Sequence, residues 1–318
     1  MNTFLHKKLG INLVDKLDIA EGTSILLAIS SGQDSLCLLK LFIDIKEQYK
    51  LNIAIISIDH QWRADSCVNS QHMVNIIQKA QIKSYLYQLR PKNYSELELR
   101  NLRYQIFLET AIKYSYELIA TAHTASDQVE TCIYNMIQGS NIDGLNSLIW
   151  KRNIDKDLKI IRPLLNFSRG EIKWFCNYFS LPIWFDYTNL YYKNNRSRGR
   201  HELIPYIKNH YSQDLERKIP KFLEKTYLDS EYLRQNTIKL YQQIKHPYFI
   251  AVNYQILTKQ HKSLQLRLLE LFLLHNTKLT LSDNLLSDIM DCIHKNSYIR
   301  IMNQDILIQS NRTWLYIS

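Results

Sequence analysis

The chain has 318 residues, 46% of them hydrophobic and 22% charged, and 40 Lys/Arg against 30 Asp/Glu give it a net charge of +10. This composition excludes a disordered chain, and no apolar run approaches the roughly 20 residues of a membrane span, so no membrane partner is expected. The length exceeds what one core fills comfortably and predicts two domains.

The opening segment MNTFLHKKLG has no apolar h-region, and Asp15, Asp18 and Glu21 follow early, so neither a secretory signal nor a transit peptide is expected. Four short β-branched runs follow at 24–30 (SILLAIS), 53–59, 84–89 and 117–123, alternating with helical patterns over 34–49, 66–81, 96–115 and 125–138. Alternation of this kind predicts an α/β fold: a parallel twisted sheet with helices on both faces and ligands beyond the carboxyl ends of the strands. Residues 139–163 read as a loop and a further strand, and Ser168 with Glu171 forms a capping box that opens another helix. The stretch 186–205 reads as a long loop feeding a helix. From 216 onward the pattern is mainly helical, with a tail that alternates like a hairpin. The expected division is therefore 1–215 for the first domain and 216–318 for a smaller, mainly helical second one.

Charge is unevenly distributed along this order. Residues 1–150 hold 14 basic against 15 acidic side chains, residues 151–208 hold 12 against 5, and residues 209–318 hold 14 against 10. A basic field in the middle of the chain suits a phosphate-rich partner, because it raises both affinity and encounter rate for a polyanion. Five scattered cysteines (Cys37, Cys67, Cys132, Cys176 and Cys292), with no C-x-x-C, fit reduced thiols and argue against a zinc or iron–sulfur site. Ile and Asn make up about a fifth of the chain and Gly only 7 residues, a bias of AT-rich genomes. The expected location is a bacterial cytoplasm or, for an organelle-encoded protein, the plastid stroma.

The turn after the first strand carries the chemistry. Ser30, Ser31, Gly32, Gln33, Asp34 and Ser35 bring backbone N–H groups, three hydroxyls and a helix N-terminus to one place, which is what a phosphate cluster needs. Asp34 repels phosphate and either holds a bridging Mg²⁺ or caps the helix. The hexapeptide resembles the S-G-G-x-D-S loop of the PP-loop ATP pyrophosphatases, with Ser31 in place of a glycine. That family has an adenine-nucleotide α-hydrolase-like fold and cleaves ATP to AMP and pyrophosphate while adenylating a substrate.

Further segments resemble one branch, the tRNA(Ile)-lysidine synthases. IDHQWRADS (58–66) is similar to V-D-H-G-L-R-x-x-S, with Gln61 at a glycine position. Asp59 and His60 at this strand end are candidates for the base or ribose of the nucleotide. ELRNLRY (98–104) matches R-x-x-R-Y, and Arg100 and Arg103 at i,i+3 share a helix face and can reach a common anion. TAHTASDQVET (121–131) resembles T-G-H-x-x-D-D-Q-x-E-T, with Ser126 at the first aspartate. His123 closes the strand, and Asp127 and Glu130 share a helix face, a carboxylate pair suited to an ammonium group of lysine. GSNIDGL (139–145), RPLL (162–165), SRGEI (168–172) and DYTNLYYKNNRSRGRHELIP (186–205) match in the same order. In the last of these Arg196, Arg198 and Arg200 keep the arginine positions, where they can grip RNA phosphates or stabilise a reaction centre.

The resemblance spans about 24–210 and implies that ATP and Mg²⁺ serve the ligation of free L-lysine to C2 of the wobble cytidine of a tRNA(Ile) with a CAU anticodon. It implies catalytic roles for Asp34, Asp127 and Arg196, nucleotide contacts from residues 30–35 with Asp59 and His60, and substrate contacts from Arg100, Arg103, His123, Asp127, Glu130, Arg198 and Arg200. The second domain is of a size compatible with tRNA recognition. Two alternatives are a PP-loop enzyme that 2-thiolates tRNA and a non-catalytic RNA-binding protein. The oligomeric state stays open, a homodimer included.

Overall fold

Runs of aliphatic residues too short for helices form a six-stranded sheet in the computed structural model, which describes residues 3–59, 61, 66–92, 94–155, 157–184, 198–277, 282–295, 298–301 and 306–317. The strands are β1 (Ser24–Ala28), β2 (Asn52–Asp59), β3 (Ser84–Gln88), β4 (Leu118–Thr121), β5 (Lys151–Asn153) and β6 (Lys159–Ile161), in the order β3-β2-β1-β4-β6-β5. All pair in parallel except the edge strand β5, which runs antiparallel to β6. β5 went unread in the sequence because Lys-Arg-Asn carries no apolar signal. Pairing with β6 makes it a strand, and its charges suit an edge.

Both faces of the sheet are covered. Side chains alternate across the pleat, so Ile25 and Leu27 of β1 and Ile53 and Ile55 of β2 enter one core, while Leu26, Ala54 and Ile56 enter the other. On the first face lie α1 (Phe4–Ile11), α2 (Gln33–Ile45) and α7 (Arg169–Tyr178), through residues such as Leu9, Phe42 and Phe175. On the second face α4 (Glu96–Lys113) contributes Phe107 and Ala111. Each fully buried Leu, Ile or Phe is worth about 2 kcal/mol, which is why the strands read as continuous apolar runs. α3 (Ser66–Ala80), α5 (Ala125–Ile137) and a short α6 (Ile142–Leu145) complete the layers. The Ser168 box forms as read: Ser168 Oγ accepts from the Glu171 N–H (3.2 Å) and Glu171 Oε2 accepts from the Ser168 N–H (2.7 Å).

Strand order reverses between β1 and β4, which leaves a crevice beyond their carboxyl ends. The turn at 29–32 and the turn at 122–124 therefore face one another across the expected ligand position.

The chain divides into two compact units, Met1–Glu224 and Lys225–Ser318, within the long helix α9 (Leu215–Ile244) that follows α8 (Ile204–His210). The start of α9 belongs with the first unit, where Leu215 and Ile219 pack on Val129 and Ile133 of α5. The second unit contains α10 (Tyr254–Leu257), α11 (Lys262–Thr277) and α12 (Asp283–Lys295), and an antiparallel sheet in the order β7-β10-β9-β8. Its strands are β7 (Ala251–Asn253), β8 (Tyr298–Ile301), β9 (Ile306–Ser310) and β10 (Trp314–Ile317). The tail thus forms three strands, and β7, three residues with no periodic signature, joins through β10. No described helix is long and apolar enough to cross a membrane.

Candidate active site

β1 runs out at Ala28, and Ser30, Ser31 and Gly32 turn the chain into α2 with Gly32 as N-cap. Among the described residues no side chain caps this helix, which leaves its first amides open. Ser30 and Ser35 bring their hydroxyl oxygens to 3.0 Å of each other across the turn. Ser31 keeps a negative φ, so the serine at this glycine position carries no left-handed strain. The Trp184 backbone N–H donates to the Ser31 carbonyl (3.0 Å), and its ring lies against His72, with ring centroids 5.5 Å apart. Two side-chain donors beside the turn, Gln33 Nε2 and Trp184 Nε1, are buried without a hydrogen-bond partner among the described residues. Unsatisfied buried donors are costly, and an acceptor-rich ligand removes that cost.

Asp34 lies in the first turn of α2, and burial pushes its pKa up from 3.8 to about 6; Asp127 and Glu130 push in the same direction, and Arg169 and Arg200 oppose them. Thr124 caps α5 through Asp127, whose Oδ2 accepts from the Thr124 N–H (2.8 Å) and hydroxyl (3.0 Å). The other oxygen, Oδ1, accepts from Arg200 Nη2 at 3.2 Å, and Glu130 Oε1 accepts from Arg200 Nε at 2.5 Å. Burial alone would lower the Arg200 pKa, but these carboxylates outweigh it and raise it. The acidic pair expected to face a substrate cation is therefore closed onto an arginine of the same chain, one expected on the anion side.

Ser126, at the position of the family's first aspartate, donates its hydroxyl to Glu216 (2.7 Å), which also accepts from Lys208 Nζ (2.7 Å). Burial raises the Glu216 pKa, but hydrogen bonds from Lys208, Ser126 and the Arg169 backbone prevail and hold it below the usual range. Next to this group opens a cavity of about 190 Å³ lined by side chains of both signs, Glu130, Glu216, Arg169, Arg200 and Lys208 among them.

Around His123 lies a cationic group. His123, just past β4, sits with Nδ1 at 2.9 Å from Thr121 Oγ1. Burial drives its pKa down to about 4, and Arg162, Arg103 and Arg100 add to the effect against the pull of Asp127. His123 is therefore neutral at physiological pH. Arg162 directly follows β6 and is buried; its Nη1 donates to the Ile149 carbonyl (2.6 Å), and its Nε is without a partner. Arg100 lies over the Tyr104 ring at 5.9 Å.

Asp59, expected to contact the nucleotide, is hydrogen-bonded by its own turn and by α3. Its Oδ1 accepts from the Gln61 N–H (2.9 Å) and from the Ser66 hydroxyl, and its Oδ2 from the Ser70 hydroxyl (2.6 Å). Burial raises the Asp59 pKa, but these donors and Gln88 outweigh it and hold the carboxyl below its ordinary range. The turn costs something as well: Gln61 adopts φ 50° where the family has glycine, a strain of about 1 kcal/mol.

Asp34, Asp127, Glu130 and Arg200 thus come together beside the turn at 29–32, and His123 feels both Asp127 and the charges of Arg100 and Arg103. Arg198 lies apart, exposed and paired with Glu202 (3.3 Å). His60 and Arg196 lie outside the described residues. Sequence reasoning assigned no role to Arg162, Arg169, Glu216 or Trp184. Arg162 and Arg169 sit inside quoted segments, RPLL and SRGEI, and were legible there; Trp184 and Glu216 carry no local signal.

A family model described as a PP-loop domain matches residues 4–207. The chain is 39% identical over 318 residues to the chloroplastic tRNA(Ile)-lysidine synthase of Gracilaria tenuistipitata var. liui, covering 99% of each. It is 34% identical to the chloroplastic enzyme of the same name from Pyropia yezoensis, over 99% of this chain and 96% of that one. The tRNA(Ile)-lysidine synthase of Nostoc sp. is 39% identical over 68% of this chain and 63% of its own. Among solved structures, the U34-tRNA thiolase NcsA of Methanococcus maripaludis with its [4Fe-4S] cluster superposes with a TM-score of 0.56 at 16% identity, covering 69% of this chain and 77% of that one. That likeness concerns the fold.

Proposed function

The chain belongs to the tRNA(Ile)-lysidine synthases of the PP-loop family, and from that premise we propose how its residues carry the reaction. It is an ATP-using ligase that forms lysidine on tRNA(Ile). We infer that its substrate is the wobble cytidine of a CAU anticodon and that its nucleophile is free lysine.

ATP lays its phosphates on the N-terminus of α2. The open amides after Gly32, the hydroxyls of Ser30, Ser31 and Ser35, and the orphaned Gln33 and Trp184 donors support this reading. Asp34 suits a magnesium ion: such an ion takes one or two carboxylates and completes its shell with phosphate and water. Held there by Asp34, a cation would favour the ionised carboxyl and would supply charge neutralisation to the phosphates. The cytosine O2 attacks the α-phosphorus and pyrophosphate leaves, which makes the base oxygen a good leaving group. The ε-amine of lysine then attacks C2, loses a proton and expels AMP.

Lysine brings a carboxylate and an ammonium, and the cavity beside Glu130 offers both signs to match them. Arg200 holds the acidic pair aligned for this task. Arg100 and Arg103 would face the phosphates of the RNA, with Arg196 and Arg198 as further candidates for that role. Asp59 acts through the turn it ties to α3.

The observation that carries the reading is the uncapped N-terminus of α2 beside Asp34. The test uses purified protein, Mg-ATP, labelled lysine and two tRNA(Ile) transcripts, with C or U at the wobble base. Incorporation into the C form alone, with release of AMP and pyrophosphate, is the expected outcome. Pyrophosphate release that depends on tRNA but brings no lysine incorporation would keep adenylation and discard lysine; neither signal would discard the whole proposal.

A further inference from the structure

We propose that the segment 246–250 of the second unit, with the adjoining face of its sheet, is a stacking platform for unpaired nucleotides of the tRNA. This inference rests on the tRNA substrate argued above and goes beyond it by assigning a surface to the recognition.

The segment His246-Pro-Tyr-Phe-Ile250 presents its rings to solvent: Tyr248 is 88% exposed and Phe249 64%. Single exposed aromatics are ordinary, but the backbone that carries these is tied down. His246 Nδ1 accepts the N–H groups of both Tyr248 and Phe249 (3.1 Å each), and the Ala251 carbonyl accepts the His246 N–H at 2.8 Å. The Ile250 carbonyl accepts the Ile317 N–H (2.9 Å), which anchors the far end of the turn to β10. A turn whose backbone is already tied lowers the ordering cost that binding otherwise imposes.

The platform continues onto the sheet. Along β10, Leu315 and Ile317 enter the core of the second unit, so Trp314 and Tyr316 lie on the opposite face. The His246 ring joins the two parts, with its centroid 4.6 Å from that of Trp314 and 4.9 Å from that of Phe249. Phe249 lies 6.4 Å from Tyr316 in turn.

Charge selects the partner. The two segments that build this surface, 245–254 and 306–317, carry Lys245 and Arg312 and no Asp or Glu. Aromatic faces among cations without acids match bases joined by phosphates. Stacking of a base on such a ring tolerates any sequence, whereas base-edge recognition needs aligned donors and acceptors.

The test compares full-length wild type with the Tyr248→Ala/Phe249→Ala double variant and with Tyr248→Phe, measuring tRNA(Ile) affinity without ATP or lysine and, separately, ATP affinity. Both sites are exposed, so equal melting temperatures are expected. The double variant should bind tRNA about tenfold or more weakly with ATP affinity unchanged, and Tyr248→Phe should bind as wild type does. Unchanged tRNA affinity in the double variant overturns the proposal. Wild-type dimers that dissociate in the double variant while tRNA affinity holds would give the surface to a second copy, and overturn it too. A wild type that binds no tRNA at all would instead overturn the substrate reading beneath it.

Discussion

The turn after β1 and the turn after β2 lie at the ends of neighbouring strands, and they treat their polar groups in opposite ways. The first leaves helix amides uncapped and two buried donors, Gln33 Nε2 and Trp184 Nε1, without partners. The second surrounds the Asp59 carboxylate with the Gln61 N–H and the hydroxyls of Ser66 and Ser70. Both turns carry a polar motif at a strand's carboxyl end, where ligands of such sheets bind. On the function proposed above, the open set of donors takes the phosphates, whereas the satisfied carboxylate ties its own turn to α3. Position on the sheet is therefore not enough to assign a role.

The sharpest way to break this comparison is at Asp34. Asp34→Asn should lower lysidine formation by about 10²-fold or more, with Mg-ATP turnover as the readout. On the magnesium role proposed for Asp34, its carboxyl ionises to meet the cation, so activity should fall as pH drops through about 6. Raising Mg²⁺ should move that acid limb to lower pH, because the cation favours the carboxylate. A limb that ignores Mg²⁺ would remove the ion from Asp34.

Next in size is Arg200→Ala, which leaves Asp127 and the buried Glu130 without their cation. Breaking such a pair costs about 3 kcal/mol, and Asp34, losing one of its two opposing cations, should titrate higher still. Urea unfolding reads the first effect and the acid limb of activity the second.

A smaller effect is expected at the second turn. Asp59→Asn should destabilise the fold by about 1–3 kcal/mol and leave the KM for ATP within a fewfold of wild type. The folded carboxyl titrates below its unfolded value, so its stabilisation is present above the unfolded pKa and is lost as pH falls through the folded one. A large rise in KM at unchanged stability would return Asp59 to the nucleotide. The smallest effect is Gln61→Gly, which should stabilise by up to about 1 kcal/mol by relieving the φ of 50°, seen as a small rise in Tm.

Much of this site was legible before the fold. Helix spacing alone joins Asp127 to Glu130, and the six residues after β1 announce a helix N-terminus open to phosphate. Two features were not legible. Arg200 lies 70 residues beyond Glu130, and only the packing of α5 against the segment before α8 closes it onto the acidic pair. Ser126 looked like a loss of charge, yet Glu216 arrives from α9 and supplies a carboxylate at the same place.

The sequence by itself determined the sheet, its alternation with helices and the order of the motifs, because these follow from local period and local backbone chemistry. Tertiary structure decided which charges meet, which donors stay unsatisfied and which turn spends its carboxylate on the scaffold. Those outcomes depend on distances between residues far apart in the chain, and no local pattern encodes them.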